Sequence, residues 1–243
     1  MVGSAIMKPV TPWELLGEAT APGGETLTLM RQDREFVILA NGRPLMSSRM
    51  HGSEEALAQF GCAHVARADE PQVLVGGLGM GFTLAATLAE LPASARVVVA
   101  ELVGGVVEWN RAELGECAGR PLKDRRVSVV VGDVLDTLAA STHTFDAVLL
   151  DVDNGPDAFT AAGNASLYGD RGLAIIRASL RPGGVVAVWS AWEDRKFEQR
   201  LRAAGFGVRV ERVRARLKKG GPWHTIFIGT PNGTPVGRGR PAD

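Results

Sequence analysis

From Gln72 onward the chain alternates between short, continuous apolar runs and longer amphipathic stretches. The runs are QVLVGG (72–77), RVVVAEL (96–102), RVSVVVGD (126–133), FDAVLLDVD (145–153) and GVVAVWS (184–190). Between them the pattern predicts helices near 80–90, 104–114, 134–140, 169–180 and 194–205. Continuous Val/Leu runs separated by helices mark parallel strands buried on both faces. The last patterned segment, GVRVERVRARL, then KKGGP, then WHTIFIGT, predicts an antiparallel hairpin.

Upstream the texture is different. TLTLMRQ and EFVILANGRPLMSS, with the turn signal Asn41-Gly42, predict a small β-unit. A helix is expected over about 53–66, opened by Ser53 as N-cap with Glu54 and Glu55 in its first turn. The expected division is a loose N-terminus (1–10), a β-unit (11–52), an α/β domain (53–230) and a loose tail (231–243) rich in Gly, Pro and Arg.

Charge narrows the partners. With 27 basic and 27 acidic residues the chain has no global pull toward nucleic acid or an anionic membrane. Arg212, Arg214, Arg216 and Lys218 alternate with Val213, Ala215 and Leu217, the pattern of a solvated edge strand; nucleic-acid binding is the weaker alternative. No apolar run is long enough for a spanning helix, and Cys62 and Cys117 form no CxxC, which suits a reducing cytoplasm. The histidines show no metal-ligand spacing, so no metal is expected.

In an open α/β sheet, ligands bind beyond the carboxyl ends of the strands. The first predicted strand runs into VGGLGMGFTL, where Gly77, Gly79 and Gly81 give GxGxG and Phe82 stands where a dinucleotide fingerprint needs glycine. That spacing favours an adenosyl sulfonium cofactor over NAD. The second strand ends in Glu101, suited to a ribose diol, and the third in Gly132-Asp133, suited to an adenine edge together with Val134. The fourth delivers Asp151 and Asp153 before an Asn154-Gly155-Pro156 break.

These motifs resemble the spermidine synthase family. VLVGGLGMGFTL is similar to its VLVIGGGDGGTL, VVVGDV to its adenine turn, FDAVLLDVDNGP to its YDVIIVDSSDPVGP, and RPGGVVAVWS to its LKPGGILV. The resemblance covers about Arg31 to Phe206. It implies a Rossmann-like class I methyltransferase fold, with a seven-stranded, mostly parallel sheet, the C-terminal antiparallel hairpin and the N-terminal β-unit. It implies that Gly77, Gly79 and Gly81 face the cofactor's amino-acid or aminopropyl arm. Glu101 would hold ribose, Asp133 and Val134 adenine, and Asp151 would be the catalytic acid. A homodimer is also implied.

Three positions depart from the family. Met80 replaces the acid inside its glycine loop, Ser53-Glu54-Glu55 replaces its Tyr-His-Glu, and its second acid becomes Asn154 or Asp153. Loss of the loop acid removes a repulsion against the carboxylate of S-adenosylmethionine. The leading expectation is therefore methyl transfer from S-adenosylmethionine to a small amine-bearing or cationic acceptor, with Asp151 as base or anchor. Asp153, Glu54, Glu55, Tyr168 and Trp189 are the expected acceptor-binding residues. The alternatives are aminopropyl transfer from decarboxylated S-adenosylmethionine and a non-catalytic nucleoside-binding protein.

Overall fold

The computed structural model describes residues 11–152, 166–216 and 220–231. Asp153, the Asn154-Gly155-Pro156 break, Leu217, Lys218 and the two segments expected to be loose lie outside the described residues, apart from Pro231.

Four short strands open the chain: β1 (Glu14–Thr20), β2 (Thr26–Gln32), β3 (Glu35–Ala40) and β4 (Arg43–Ser47), paired in that order in an antiparallel sheet. Asn41 and Gly42, both at positive φ, make the turn between β3 and β4, as an Asn-Gly pair does when both residues must be left-handed. Strand β1 has little apolar alternation and was not expected from the pattern; its pairing to β2 and its contact with a helix hold it.

The helix α1 (Gly52–Cys62) leads into the main domain, where β5 (Gln72–Gly76), α2 (Phe82–Glu90), β6 (Arg96–Glu101), α3 (Gly104–Arg111), β7 (Val127–Val131), α4 (Val134–Ala139) and β8 (Phe145–Leu150) follow. The chain continues through α5 (Asp170–Ser179), β9 (Leu180–Ser190), α6 (Arg195–Ala203), β10 (Phe206–Arg214) and β11 (Trp223–Pro231). The expected helices and strands are all present. The helix expected over 104–114 stops at Arg111 and gives way to a 3-10 turn at Leu114–Ala118.

Sheet order is β10-β11-β9-β8-β5-β6-β7. Strands β5 to β9 run parallel, and β11 is antiparallel to both β9 and β10. The order reverses between β5 and β8, so their carboxyl ends flank a crevice where a ligand can enter. Val73, Leu74 and Val75 of β5, Val148 to Leu150 of β8 and Val186 to Val188 of β9 have no exposed surface, which accounts for their unbroken apolar runs.

One core lies between the sheet, α1, α2, α3 and the N-terminal strands; a second lies under α4, α5 and α6. The N-terminal sheet is seated on α3. The indole of Trp109 fills the place of a side chain at Gly17, Ala19 does the same at Gly105, and Arg31 bridges Glu14 and Glu113. Arg212 and Arg214 of the basic stripe lie on the edge strand β10, as the alternation predicted, and stack over the Trp223 ring; Arg216 follows the strand.

Helix α1 lies close against β8 and β9 at Gly61, where a Cβ would fall 2.0 Å from Leu149 Cδ2 and 3.3 Å from Ala187 Cβ. Leu149 is fully buried and has nowhere to go. Gly61→Val is expected to lower the stability by about 1–3 kcal/mol through overpacking. A urea midpoint equal to that of the parent would contradict this packing.

Candidate active site

The crevice is built around a close backbone approach. Gly77, with φ +87°, sits where a Cβ would lie 2.3 Å from the Asp151 carbonyl oxygen, so only glycine lets the loop after β5 pass the end of β8. Gly79 and Gly81 also have positive φ, and the Asn110 amide of α3 donates to the Gly79 carbonyl at 2.8 Å, fixing the loop from below. Met80 does not line the crevice: it is 3% exposed and packs into the first core.

Glu101 is almost fully buried at the end of β6. Its two carboxylate oxygens accept from the Leu78 N–H at 2.8 Å and the Val103 N–H at 2.9 Å. The acid thus ties the glycine loop to the start of α3, and a carboxylate has further lone pairs beyond these two bonds. Asp133 is the N-cap of α4 and accepts from the Leu135 N–H at 2.8 Å. One oxygen of the acid expected at adenine is therefore engaged in capping. The Val134 side chain is buried against Gly76.

Asp151 is partly buried beyond β8. Its backbone N–H donates to the Gly76 carbonyl, and its Oδ2 accepts from the Thr83 hydroxyl at 2.5 Å. Burial raises its carboxyl to about 6, against the stabilising bond from Thr83. Facing it from α1 is Glu54, raised to about 8 first by burial and then by the charge of Asp151. The two acids repel one another, so near neutral pH the pair holds roughly one proton and one negative charge.

Around Glu54 lies a set of contacts the sequence did not disclose. The Ser53 hydroxyl donates to Glu54 Oε2 at 2.6 Å and lies 2.8 Å from His224 Nδ1 on β11. Ser53 is not the N-cap; that position belongs to His51, and Ser53 points inward, completely buried. His51 stacks on Phe82 with ring centroids 4.2 Å apart, and its Nδ1 is 2.7 Å from Glu55. Glu55 therefore turns to its own helix.

Tyr168, expected at the acceptor, does not lie there. It is 1% exposed and packs edge-on against Phe197 in the second core, away from α1. Trp189 is nearer: it lies in the first core, T-shaped to His224 with centroids 4.7 Å apart, and so supports the site from behind. Among the described residues no group of His, Cys, Asp and Glu is placed to hold a metal ion, and no helix is long and apolar enough to cross a membrane.

Comparison with known proteins decides the family. Residues 50–201 match the model of the spermine/spermidine synthase domain, well over half of the chain. The chain belongs to the spermine/spermidine synthase family. It is accordingly a transferase built for an S-adenosylmethionine-derived cofactor. A spermidine synthase solved with the transition-state analogue AdoDATO superposes with a TM-score of 0.69 at 16% identity, covering 89% of this chain and 72% of that one. The spermidine synthase of Thermotoga maritima gives 0.68 at 16% identity with the same coverage. A probable spermidine synthase from Corynebacterium glutamicum gives 0.60 at 17%, covering 92% of this chain and 81% of that one. No curated protein matches the chain by sequence. At such identities the superpositions show the family fold alone.

The two raised acids set a sign for stability against pH. A carboxyl whose folded pKa is raised contributes stability that is complete below its unfolded value and lost as pH rises through its folded value. The stability these two acids contribute is expected to be lost as pH rises from about 3.8 to about 8, and Glu54→Gln is expected to flatten the upper part of that slope. Thermal midpoints measured across this range check it; identical slopes in parent and variant would contradict the burial of Glu54.

Proposed function

We propose that this protein transfers an aminopropyl group from decarboxylated S-adenosylmethionine to a small amine. The observation that carries the reading is the acid pair Asp151 and Glu54 at the switch-point crevice, beside the glycine loop. A partly dry site with about one negative charge suits an ammonium group and opposes a carboxylate. Decarboxylated S-adenosylmethionine and an amine acceptor both bring cationic nitrogen; S-adenosylmethionine adds a carboxylate.

In this reading Gly77, Gly79 and Gly81 let the cofactor's arm approach the backbone, Glu101 takes the ribose hydroxyls and Asp133 with Val134 takes adenine. Asp151, oriented by Thr83, holds the acceptor nitrogen in line with the carbon under attack. The nucleophile must be a neutral amine, so one carboxylate has to accept its proton. The substrate is a free small molecule. A homodimer formed with the help of the N-terminal sheet belongs to the same proposal.

Methyl transfer from S-adenosylmethionine is the second reading, and the absence of an acid from the glycine loop favours it. The loop acid that would hold the amine of the decarboxylated cofactor is replaced here by a buried thioether. Calorimetric titration with both cofactors separates the two. The decarboxylated form is expected to bind about tenfold or more tightly, as a like-charge contact in a desolvated site costs several kcal/mol. Asp151→Asn is expected to narrow that preference. Tighter binding of S-adenosylmethionine by the parent protein would reject aminopropyl transfer in favour of the methyl reading.

A further inference from the structure

Each turnover in the proposed reaction must dispose of one proton. The amine lone pair forms the new N–C bond, the C–S electron pair returns to sulfur and neutralises the sulfonium, and the proton lost by the acceptor ammonium has to leave the crevice. Among the described residues Asp151 has no onward path for a proton. Its side-chain partner is the Thr83 hydroxyl, which donates to it, and Thr87 donates to the Thr83 carbonyl rather than to its hydroxyl.

Glu54 is connected differently. Ser53 Oγ lies 2.6 Å from Glu54 Oε2 and 2.8 Å from His224 Nδ1, so a hydroxyl bridges a carboxyl group and an imidazole that are 170 residues apart in sequence. Ser53 is completely buried, while His224 is half-buried and its Nε2 has no partner among the described residues. The Trp189 ring, edge-on to His224, fixes the imidazole's place. We propose that the proton taken from the acceptor amine leaves through Glu54, Ser53 and His224, while Asp151 remains the anionic anchor. This rests on the reading of the crevice as an amine-alkylating site.

The hydroxyl of Ser53 can point either way, and the two arrangements differ by one transferred proton. With Glu54 protonated, its O–H donates to Ser53 and Ser53 donates to neutral His224. After the shift, His224 carries the proton at Nδ1 and donates to Ser53, which donates to the Glu54 carboxylate. His224 then releases its Nε2 proton to solvent, and Glu54 is again able to accept; the neutral ring, left protonated at Nδ1, regains its Nε2–H tautomer by proton exchange with solvent before the next turnover, which frees Nδ1 to accept again. Burial keeps His224 below the ordinary imidazole value, so it is neutral at neutral pH; it holds a proton less tightly than Glu54 does, and the uphill transfer is drawn on by release of the proton to solvent. Among the described residues the charged and titratable groups on the surrounding elements are His51, Glu54 and Glu55 on α1, Asp151 beyond β8, and Arg209, Glu211, Arg212 and Arg214 on β10. The carboxyl-end half of β9 carries none.

Ser53 and His224 are positioning residues in this scheme, and the test must separate that role from a structural one. With decarboxylated S-adenosylmethionine and 1,4-diaminobutane as probes, Ser53→Ala and His224→Ala are expected to lower kcat about tenfold or more. KM for the diamine should stay within about threefold, since binding is untouched. Added imidazole should restore part of kcat in His224→Ala. Unchanged kcat in Ser53→Ala, a loss confined to KM, or failure of imidazole to restore His224→Ala would overturn the relay. If the parent protein does not turn over this pair of probes, the amine-alkylating reading with this acceptor fails instead. The relay is then judged by infrared titration of the protonated Glu54 carboxyl, identified through Glu54→Gln. Its titration should move in Ser53→Ala and in His224→Gln, and a titration that does not move in either would overturn it.

Discussion

Asp151 and Glu54 repel each other across a crevice that the fold keeps partly dry, and the surrounding architecture holds them there. Strand β8 delivers the first acid at the point where sheet order reverses, and α1 delivers the second from the opposite wall. The approach is possible because Gly77 leaves room for the Asp151 carbonyl and Gly61 lets α1 lie against Leu149. Both acids carry raised pKa values for the same first reason, loss of water. A cation entering between them would relieve that repulsion, so the cost of assembling the pair is offset when ligand binds.

The proposed cofactor side of the crevice and the proposed acceptor side differ in how they are built. Glycine loop, Glu101 and Asp133 lie at successive strand ends and are held by backbone hydrogen bonds, so their placement follows from the sheet itself. The acceptor side is assembled from α1, α2 and β11, elements that meet only in the folded chain. There the family's Tyr-His-Glu is replaced by Ser53-Glu54-Glu55, and the lost rings are answered by others: His51 on Phe82, and His224 on Trp189.

This division explains what could be read in advance. The parallel strands were legible because residues buried on both faces must be apolar throughout, and the hairpin β10–β11 because its two segments flank a glycine turn. The first strand, ELLGEAT, was not legible: its residues are mostly exposed, and Gly17 is there for the Trp109 indole. Glu101 and Asp151 could be located by counting strand ends. Tyr168 could not be placed, because the chain before α5 carries no periodicity that tells one face of the sheet from the other; it lies in the second core. Ser53 illustrates the limit most clearly. A serine followed by two glutamates is a regular helix start, yet here His51 takes the cap and the hydroxyl meets an imidazole from the last strand. No local rule encodes a contact over that separation.

In the proposed reaction the acid pair selects an aminopropyl donor and an amine acceptor. The most direct test is the mass of the product formed when the protein is supplied with both cofactors and a set of small diamines. An acceptor heavier by one aminopropyl group, with Asp151→Asn inactive, is the predicted result. An acceptor heavier by one methyl group, with no aminopropylated product, would contradict it.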